Sequence, residues 1–306
     1  MTSTRLVHGV GANALEWLYA HREGFRLETD VDPEVGFLER FKPVGELAMI
    51  CAVLFREGVA GSRQADLARR LLDHAWLQTL DGGRMLVRGH RTEPVSPIPF
   101  EVYLPFRELG RTVPEMEHAL RVATRLRTWR AREVAPVRRL GLSAFAVRFG
   151  LPPDPPVPQA AADTWLCRTP EPWTVDGHIG YDITHTVFHL TDWGRNPRGL
   201  PDDLAGYLAL WLPAWLDDWL DLRRWDLLGE LLCVDACLPQ PTFDPAAWQG
   251  FAAAQQDDGA MPAVRQMPQG DPSDVFDVVY HSTLVAAFAS VLATSRSLSR
   301  LAGASS

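Results

Sequence analysis

Apolar residues recur every three or four positions along most of this chain, and runs of alternating apolar and polar residues are missing. The first pattern is typical of amphipathic α-helices, whereas half-buried β-strands alternate with a period of two. The sequence therefore predicts an all-α protein. The predicted helices span residues 11–21, 45–55, 63–80, 100–109, 115–129, 137–149, 179–191, 202–222, 225–238, 245–256 and 275–293.

A proline-rich segment interrupts this pattern at residues 151–159, which contain five prolines. Proline inside a helix removes a hydrogen bond and clashes with the preceding turn, so the segment is predicted to be non-helical. Helical segments of similar length and composition lie on both sides of it. We therefore interpret it as a crossover within a single domain of residues 1–306, with a linker between two domains as the alternative.

The overall composition is that of a globular protein, with 46% hydrophobic and 22% charged residues. The net charge of −8 and the absence of a basic run argue against a nucleic-acid partner, because such binding depends on phosphate neutralisation. An anionic membrane surface is disfavoured for the same reason. The partner we expect is a small-molecule substrate.

Cysteine use and hydropathy predict a cytoplasmic protein. Four cysteines are too few for a disulfide framework in a chain of this length. Residues 1–5 lead into no apolar signal-peptide core, and the longest apolar stretch, residues 207–216, is too short to span a bilayer. Lys42 is the only lysine, while arginine, alanine and proline are abundant, a bias that suggests a GC-rich bacterial source.

A short pattern occurs twice, as Gln-Thr-Leu-Asp-Gly at residues 78–82 and Gln-Gln-Asp-Asp-Gly at residues 255–259. Each copy closes a predicted amphipathic helix, where glycine suits the residue that ends it. The pattern resembles the repeats of the α/α toroid superfamily of terpenoid cyclases and protein prenyltransferase β-subunits. The resemblance implies about six helical hairpins around a central cavity, with inner helices that open with an acidic residue.

Three predicted helices open with an aspartate that is followed, within about one turn, by a histidine or a glutamate. The pairs are Asp182 with His185, Asp226 with Glu230, and Asp277 with His281. The three aspartates are separated by 44 and 51 residues, about one helical hairpin each time. In a toroid, equivalent ends of inner helices meet at one cavity, so His185, Glu230 and His281 are predicted to converge.

Two imidazoles and one carboxylate leave open positions on Zn²⁺ or Fe²⁺, as a catalytic metal site requires. The hypothesis is a divalent metal, zinc first and iron second, held by His185, Glu230 and His281. Asp182, Asp226 and Asp277 would orient the ligands or move protons. Two alternatives stay open, namely a metal-free acid–base pocket, and helix-capping aspartates beside histidines of the core.

The segment Asp277-Val-Val-Tyr-His281-Ser-Thr also resembles the part of prenyltransferase β-subunits that carries a zinc-binding histidine. That family has an Asp-x-Cys motif one hairpin earlier. The corresponding Asp235-Ala-Cys237 lies near the end of its predicted helix, and this departure argues against prenyltransferase chemistry.

Three further motifs are interpreted as structural. His185, His189 and Asp192 share one helix face, but the glutamate that metalloproteases place after the first histidine is absent. Cys233 and Cys237, among leucines, are expected to be buried inert thiols. The acidic run at residues 217–221 resembles the aspartate-rich motif of class I terpene synthases but lacks that family's second motif, so a solvated helix face is favoured.

These observations predict a metal-dependent enzyme of lyase, hydrolase or cyclase type that acts on a small organic molecule. A tailoring step in bacterial secondary metabolism would suit the apparent source. One alternative is a metal-free glycan-processing enzyme or cyclase that uses paired carboxylates. The other is a helical binding or scaffold protein without catalysis.

Overall fold

The computed structural model describes residues 4–27, 40–58 and 62–303, with side chains to residue 300. These residues form α-helices joined by turns and short 3-10 segments, and no β-strand occurs among them, which confirms the all-α prediction. The helices are α1 Thr4–Ala20, α2 Phe41–Glu57, α3 Arg63–His74, α4 Arg84–Thr92, α5 Ile98–Glu108, α6 Pro114–Ala123, α7 Arg127–Arg130, α8 Pro136–Arg148, α9 Val157–Ala162, α10 Gly177–Leu190, α11 Asp202–Asp221, α12 Trp225–Cys237, α13 Pro245–Ala254 and α14 Pro272–Gly303.

The helices fall into two compact units. The smaller unit is Tyr19–Val134, and the larger unit combines Met1–Leu18 with Ala135–Ser306. In the smaller unit α2 packs against α3 and α5. Gly45 of α2 makes this contact close, because a Cβ there would lie 2.9 Å from a methyl carbon of Val102. The single domain predicted from the sequence stays a prediction.

The larger unit is organised around α12, whose thirteen residues are all buried. This helix is apolar on nearly every face, and such a helix is stable only where neighbours cover it on all sides. Helices α10, α11, α13 and α14 supply that cover. Helix α1 packs on α14, where the Ser290 hydroxyl donates to the Val7 carbonyl at 2.6 Å.

One prediction about the proline-rich segment is wrong. Residues 157–159 are helical, because α9 begins at Val157 and carries Pro158 in its first turn. Proline is tolerated there, since the first N–H groups of a helix have no partner within it. The segment lies inside the larger unit, so it does not mark the boundary between the two units.

Several of the predicted helix boundaries also need correction, and the first helix begins at Thr4 rather than at residue 11. The segment 115–129 is two helices, α6 and α7, and 63–80 is α3 followed by a π-helical turn over Ala75–Thr79. Helix α14 is longer than 275–293, and residues Pro272–Arg300 are long and apolar enough to cross a bilayer. However, 72% of the most apolar segment of that helix is buried inside the fold. Helices in a protein core can have the same length and hydropathy.

The two copies of the glycine-ended pattern have different surroundings. Both glycines adopt a left-handed backbone, with φ of 63° at Gly82 and 99° at Gly259. The Gln255 side chain donates to the carbonyls of Val10 and Gly259, each at 3.0 Å, and so ties its turn to α1. Gln78, by contrast, is exposed.

Candidate functional site

Two buried carboxylates lie one turn apart on α12. Asp226 and Glu230 occupy positions i and i+4, so they share one face of the helix. Asp226 is 9% exposed and Glu230 is 3% exposed. An ionised carboxylate so far from water is costly unless neighbouring groups compensate it, so its partners define the site.

Glu230 contacts two imidazoles that come from two other helices. Its Oε1 lies 3.3 Å from Nε2 of His281 on α14, and its Oε2 lies 3.7 Å from Nδ1 of His185 on α10. The structure thus brings together the three side chains that the sequence groups as metal ligands. The His185 and His281 side chains are 41% and 29% exposed, so a small molecule can reach both imidazoles.

Thr184 completes the surroundings of Glu230, and it was not anticipated from the sequence. Its hydroxyl donates to Glu230 Oε2. The neighbouring His185 has its Nδ1 2.8 Å from the backbone carbonyl of Tyr181. A carbonyl can only accept, so Nδ1 carries the proton and Nε2 is the basic nitrogen.

These contacts determine the charge of Glu230. Burial by itself would raise the pKa of this carboxyl group. The charges of His185 and His281 oppose that effect, together with the hydrogen bonds from His281 and Thr184, and the pKa lies below its usual value. Glu230 is therefore a buried anion held by two histidines.

A second pair lies one turn away, where the Tyr181 hydroxyl donates to Asp226 Oδ2. Burial, followed by this hydrogen bond to a carboxylate, raises the pKa of Tyr181 well above its usual value. The other oxygen, Asp226 Oδ1, is buried and has no hydrogen-bond partner among the described residues. Asp226 and Glu230, with the side chains that contact them, therefore form one polar layer between α10, α12 and α14.

The other two predicted catalytic aspartates lie apart from this layer. Asp182 Oδ2 is 3.9 Å from Nε2 of His178, an exposed residue one turn earlier on α10. Asp277 is exposed near the start of α14. Among the described residues, no hydrogen bond joins either aspartate to His185 or His281. Neither aspartate lies in the first turn of its helix, so the helix-capping alternative does not account for them either.

His189, one turn beyond His185, has a different environment. Burial, followed by the positive charges of His185, Arg138 and Arg148, lowers the pKa of His189 to about 3. The carboxylate predicted to share its face, Asp192, instead lies 3.5 Å from Arg148 Nε. His189 is therefore a half-buried histidine that stays neutral.

Some features of this site favour a bound metal ion and others oppose it. In the part of the chain that the structure describes, no group of three or more His, Cys, Asp or Glu side chains is arranged to hold a metal ion. Both Glu230 oxygens accept hydrogen bonds from protein groups. The residue types suit zinc and His185 Nε2 is not used by the backbone, but Glu230 would have to exchange these partners to bind a metal.

The remaining sequence motifs have structural roles. Cys233 and Cys237 are buried, and burial raises the pKa of the Cys233 thiol well above its usual value. Asp235 accepts hydrogen bonds from the backbone N–H groups of Thr242 and Phe243, each at 2.8 Å, and so holds the turn after α12. The aspartates at 217, 218 and 221 are exposed on α11, as a solvated face requires.

A family model covers most of this chain. Residues 11–291 match a family described as a domain of unknown function, DUF6895. The chain belongs to this family. The matched region of the DUF6895 family includes His185, Glu230 and His281. No curated protein and no solved structure matches the chain.

Proposed function

We propose that this protein is an enzyme that transfers protons on a small organic molecule, with His185 and His281 as the acid–base pair and Glu230 as their shared anchor. One observation carries the proposal. A single buried carboxylate contacts two partly exposed imidazoles that belong to two other helices. Imidazole gains and loses a proton near neutral pH, and a positioned acid or base contributes about 10²–10⁴-fold to a rate.

The hydrogen bonds give the two histidines different tasks. His185 donates from Nδ1 to a backbone carbonyl, so its Nε2 is the nitrogen that accepts a proton. His281 directs its Nε2 at Glu230, and a carboxylate there stabilises the protonated imidazole. His185 is thus suited to act as the base and His281 as the acid.

The tautomers offer a first test that needs no substrate. At a pH where both imidazoles are neutral, long-range ¹H–¹⁵N spectra should show the proton of His185 on Nδ1 and that of His281 on Nε2. Glu230→Gln should leave the His185 tautomer unchanged, since a backbone carbonyl sets it. A proton on Nε2 of His185 would contradict the assignment of this histidine as the base.

The catalytic proposal is tested with a metabolite extract incubated with the protein in D₂O and followed by NMR and mass spectrometry. At least one compound should lose protons to exchange or be converted. The rate should fall by about 10²-fold or more in His185→Gln and in His281→Gln. His178→Gln is the matched control, because this histidine lies on the same helix but its side chain is 87% exposed.

Two outcomes would count against an enzyme. One is that no compound changes, and the other is that both His185→Gln and His281→Gln retain the wild-type rate. Lower thermal stability in His281→Gln together with an unchanged compound profile would favour the binding or scaffold alternative.

A metal-dependent enzyme is the second candidate, and one observation favours it. His185 donates Nδ1 to a backbone carbonyl and keeps Nε2 for another partner, an arrangement common among metal-bound histidines. Elemental analysis of dialysed protein tests this candidate. Stoichiometric zinc or iron that is lost in His185→Gln and His281→Gln, but kept in His178→Gln, would favour it over the metal-free site.

The α/α toroid is the architecture we propose for this site. In the larger unit α12 packs against both α10 and α14, as neighbouring inner helices of a toroid do. An experimental structure of the full chain would test this arrangement.

A further inference from the structure

A cavity of about 410 Å³ opens beside the carboxyl-terminal end of α10 in the larger unit. It is lined by the end of α8, the start of α9, the end of α10 and the turn that follows. Neither His185 nor His281 lines it, so it is distinct from the proposed acid–base site. A volume of this size is within the range of small-molecule sites.

The charged groups at the cavity are mainly positive. Arg148 Nε lies 3.5 Å from Asp192 Oδ1, and Arg195 Nη1 lies 3.7 Å from Asp192 Oδ2. Asp192 is the one carboxylate among the described lining residues, so two guanidinium groups share it. The Arg148 side chain is only 12% exposed, which strengthens its attraction for an anion.

The rest of the lining is largely apolar. Phe145 and Val157 contribute from α8 and α9, and Leu190 and Trp193 contribute from α10 and the turn after it. His189 is also a lining residue and is neutral, because burial lowers its pKa. Aromatic and aliphatic surface beside a positive group suits a molecule with a flat apolar body and one negative end.

The turn that carries Trp193 has an unusual backbone. Asp192, Trp193 and Gly194 have φ of 49°, 55° and 80° in succession. A left-handed backbone is unfavourable for a non-glycine residue, so other contacts have to hold the turn. Trp193 N donates to the Phe188 carbonyl at 2.7 Å, and the indole stacks on the Phe188 ring at 5.2 Å. The strained turn places an aromatic ring at the cavity.

We propose that this cavity binds a small aromatic carboxylate. The ring lies against Trp193 and Phe145, and the carboxylate accepts hydrogen bonds from Arg148 and Arg195. Arginine suits this task because its planar guanidinium presents two parallel N–H donors to a carboxylate.

The test compares 2-naphthoate with 2-naphthamide, which has the same ring system without the charge, by isothermal titration calorimetry of the full chain. The naphthoate should bind at least about tenfold more tightly, since a hydrogen bond to a charged group contributes more than a neutral one. Its affinity should fall as the salt concentration rises, while that of the amide should not.

Three variants locate the site. Arg148→Gln should remove most of the preference for the anion. Arg195→Gln should lower this preference by about threefold, because exposed charges contribute less. The Arg195 side chain is 65% exposed. This variant should therefore fold even if Arg148→Gln does not. Arg198→Gln is the matched control, an exposed arginine nearby that does not line the cavity.

Equal affinity for the naphthoate and the amide would overturn the proposal, as would the absence of naphthoate binding at millimolar concentration. Tighter binding of 2-naphthylmethylammonium than of the naphthoate would also overturn it, since Asp192 would then determine the charge preference. An unchanged preference in both Arg148→Gln and Arg195→Gln would place the bound anion elsewhere.

Discussion

His189 should make the stability of the fold depend on pH above the range where carboxylates titrate. Burial and neighbouring positive charges lower its pKa from the usual 6.5 to about 3 in the folded chain. The sign follows from which state binds the proton. Between these two pH values the unfolded chain protonates this histidine and the folded chain does not, so stability falls as the pH falls below 6.5.

The magnitude follows from the width of that interval. Each pH unit in which only the unfolded chain binds the proton costs about 1.4 kcal/mol. Between pH 6.5 and pH 5, the loss assigned to His189 is therefore about 2 kcal/mol. Glu230 adds little in that range, because the pKa of its carboxyl group is lowered from 4.5 and the group is mostly ionised in both the folded and the unfolded chain above pH 5.

The perturbation is His189→Gln, which keeps a polar side chain and removes the titration. Urea unfolding followed by circular dichroism at pH 7.5, 6.5, 5.5 and 5.0 gives the free energy of unfolding of each protein. The wild type should lose about 2 kcal/mol more than the variant between pH 6.5 and pH 5. All other titrating groups are common to both proteins, so the difference isolates this histidine.

His178→Gln is the control, because it removes a solvent-exposed imidazole from the same helix. Its free energy of unfolding should change with pH as that of the wild type does. Parallel curves for the wild type and His189→Gln below pH 6.5 would refute the reasoning. They would mean that the folded chain accepts a proton at His189.

Four more predictions concern single residues. Glu230→Gln should destabilise the fold at neutral pH by about 1–3 kcal/mol; since a lowered carboxyl pKa stabilises the fold only while ionised, the wild type and the variant should converge as the pH falls below 4.5. Gly259→Ala should lower the melting temperature, because the new Cβ would lie 2.1 Å from a backbone oxygen of α1. Gly206→Ala, on an exposed position of α11 with nothing within 4 Å, should raise it slightly. Cys167 should react first with a thiol reagent in the folded protein, because the other three cysteines are buried.

The helices and the grouping of His185, Glu230 and His281 could be predicted because both depend on local periodicity. Their spacing of about one hairpin predicts neighbouring helices, although His185 and His281 lie about two turns into α10 and α14 and Glu230 lies about one turn into α12. The aspartates show the limit of that argument. Asp182 precedes its histidine by three residues rather than four, and Asp277 lies near the exposed start of α14. Only Asp226 is buried like the residue it was paired with, because it precedes Glu230 by four residues on a helix that is buried on every side.

The partners of these residues could not be predicted, because they depend on which side chains of another helix come within hydrogen-bonding distance. Thr184 and Tyr181 precede His185 by one and four residues, and nothing in the sequence distinguishes them from ordinary helix residues. The turn at residues 192–194 was beyond prediction for another reason. Tryptophan rarely adopts a left-handed backbone, so no residue pattern predicts this conformation at Trp193.

The histidine pair on α10 shows why spacing alone is a poor guide to chemistry. His185 and His189 are one turn apart, with ring centroids at 6.5 Å, and the sequence presents them as equivalent. His185 lies next to the buried Glu230 anion, whereas His189 is half-buried near Arg138 and Arg148 and stays neutral. Environments that separate the pKa values of neighbouring groups are how proteins assign acid and base roles. In the acid–base site that we propose, His185 rather than His189 is therefore the histidine of α10 that is suited to proton transfer, and His189 lines the neighbouring cavity.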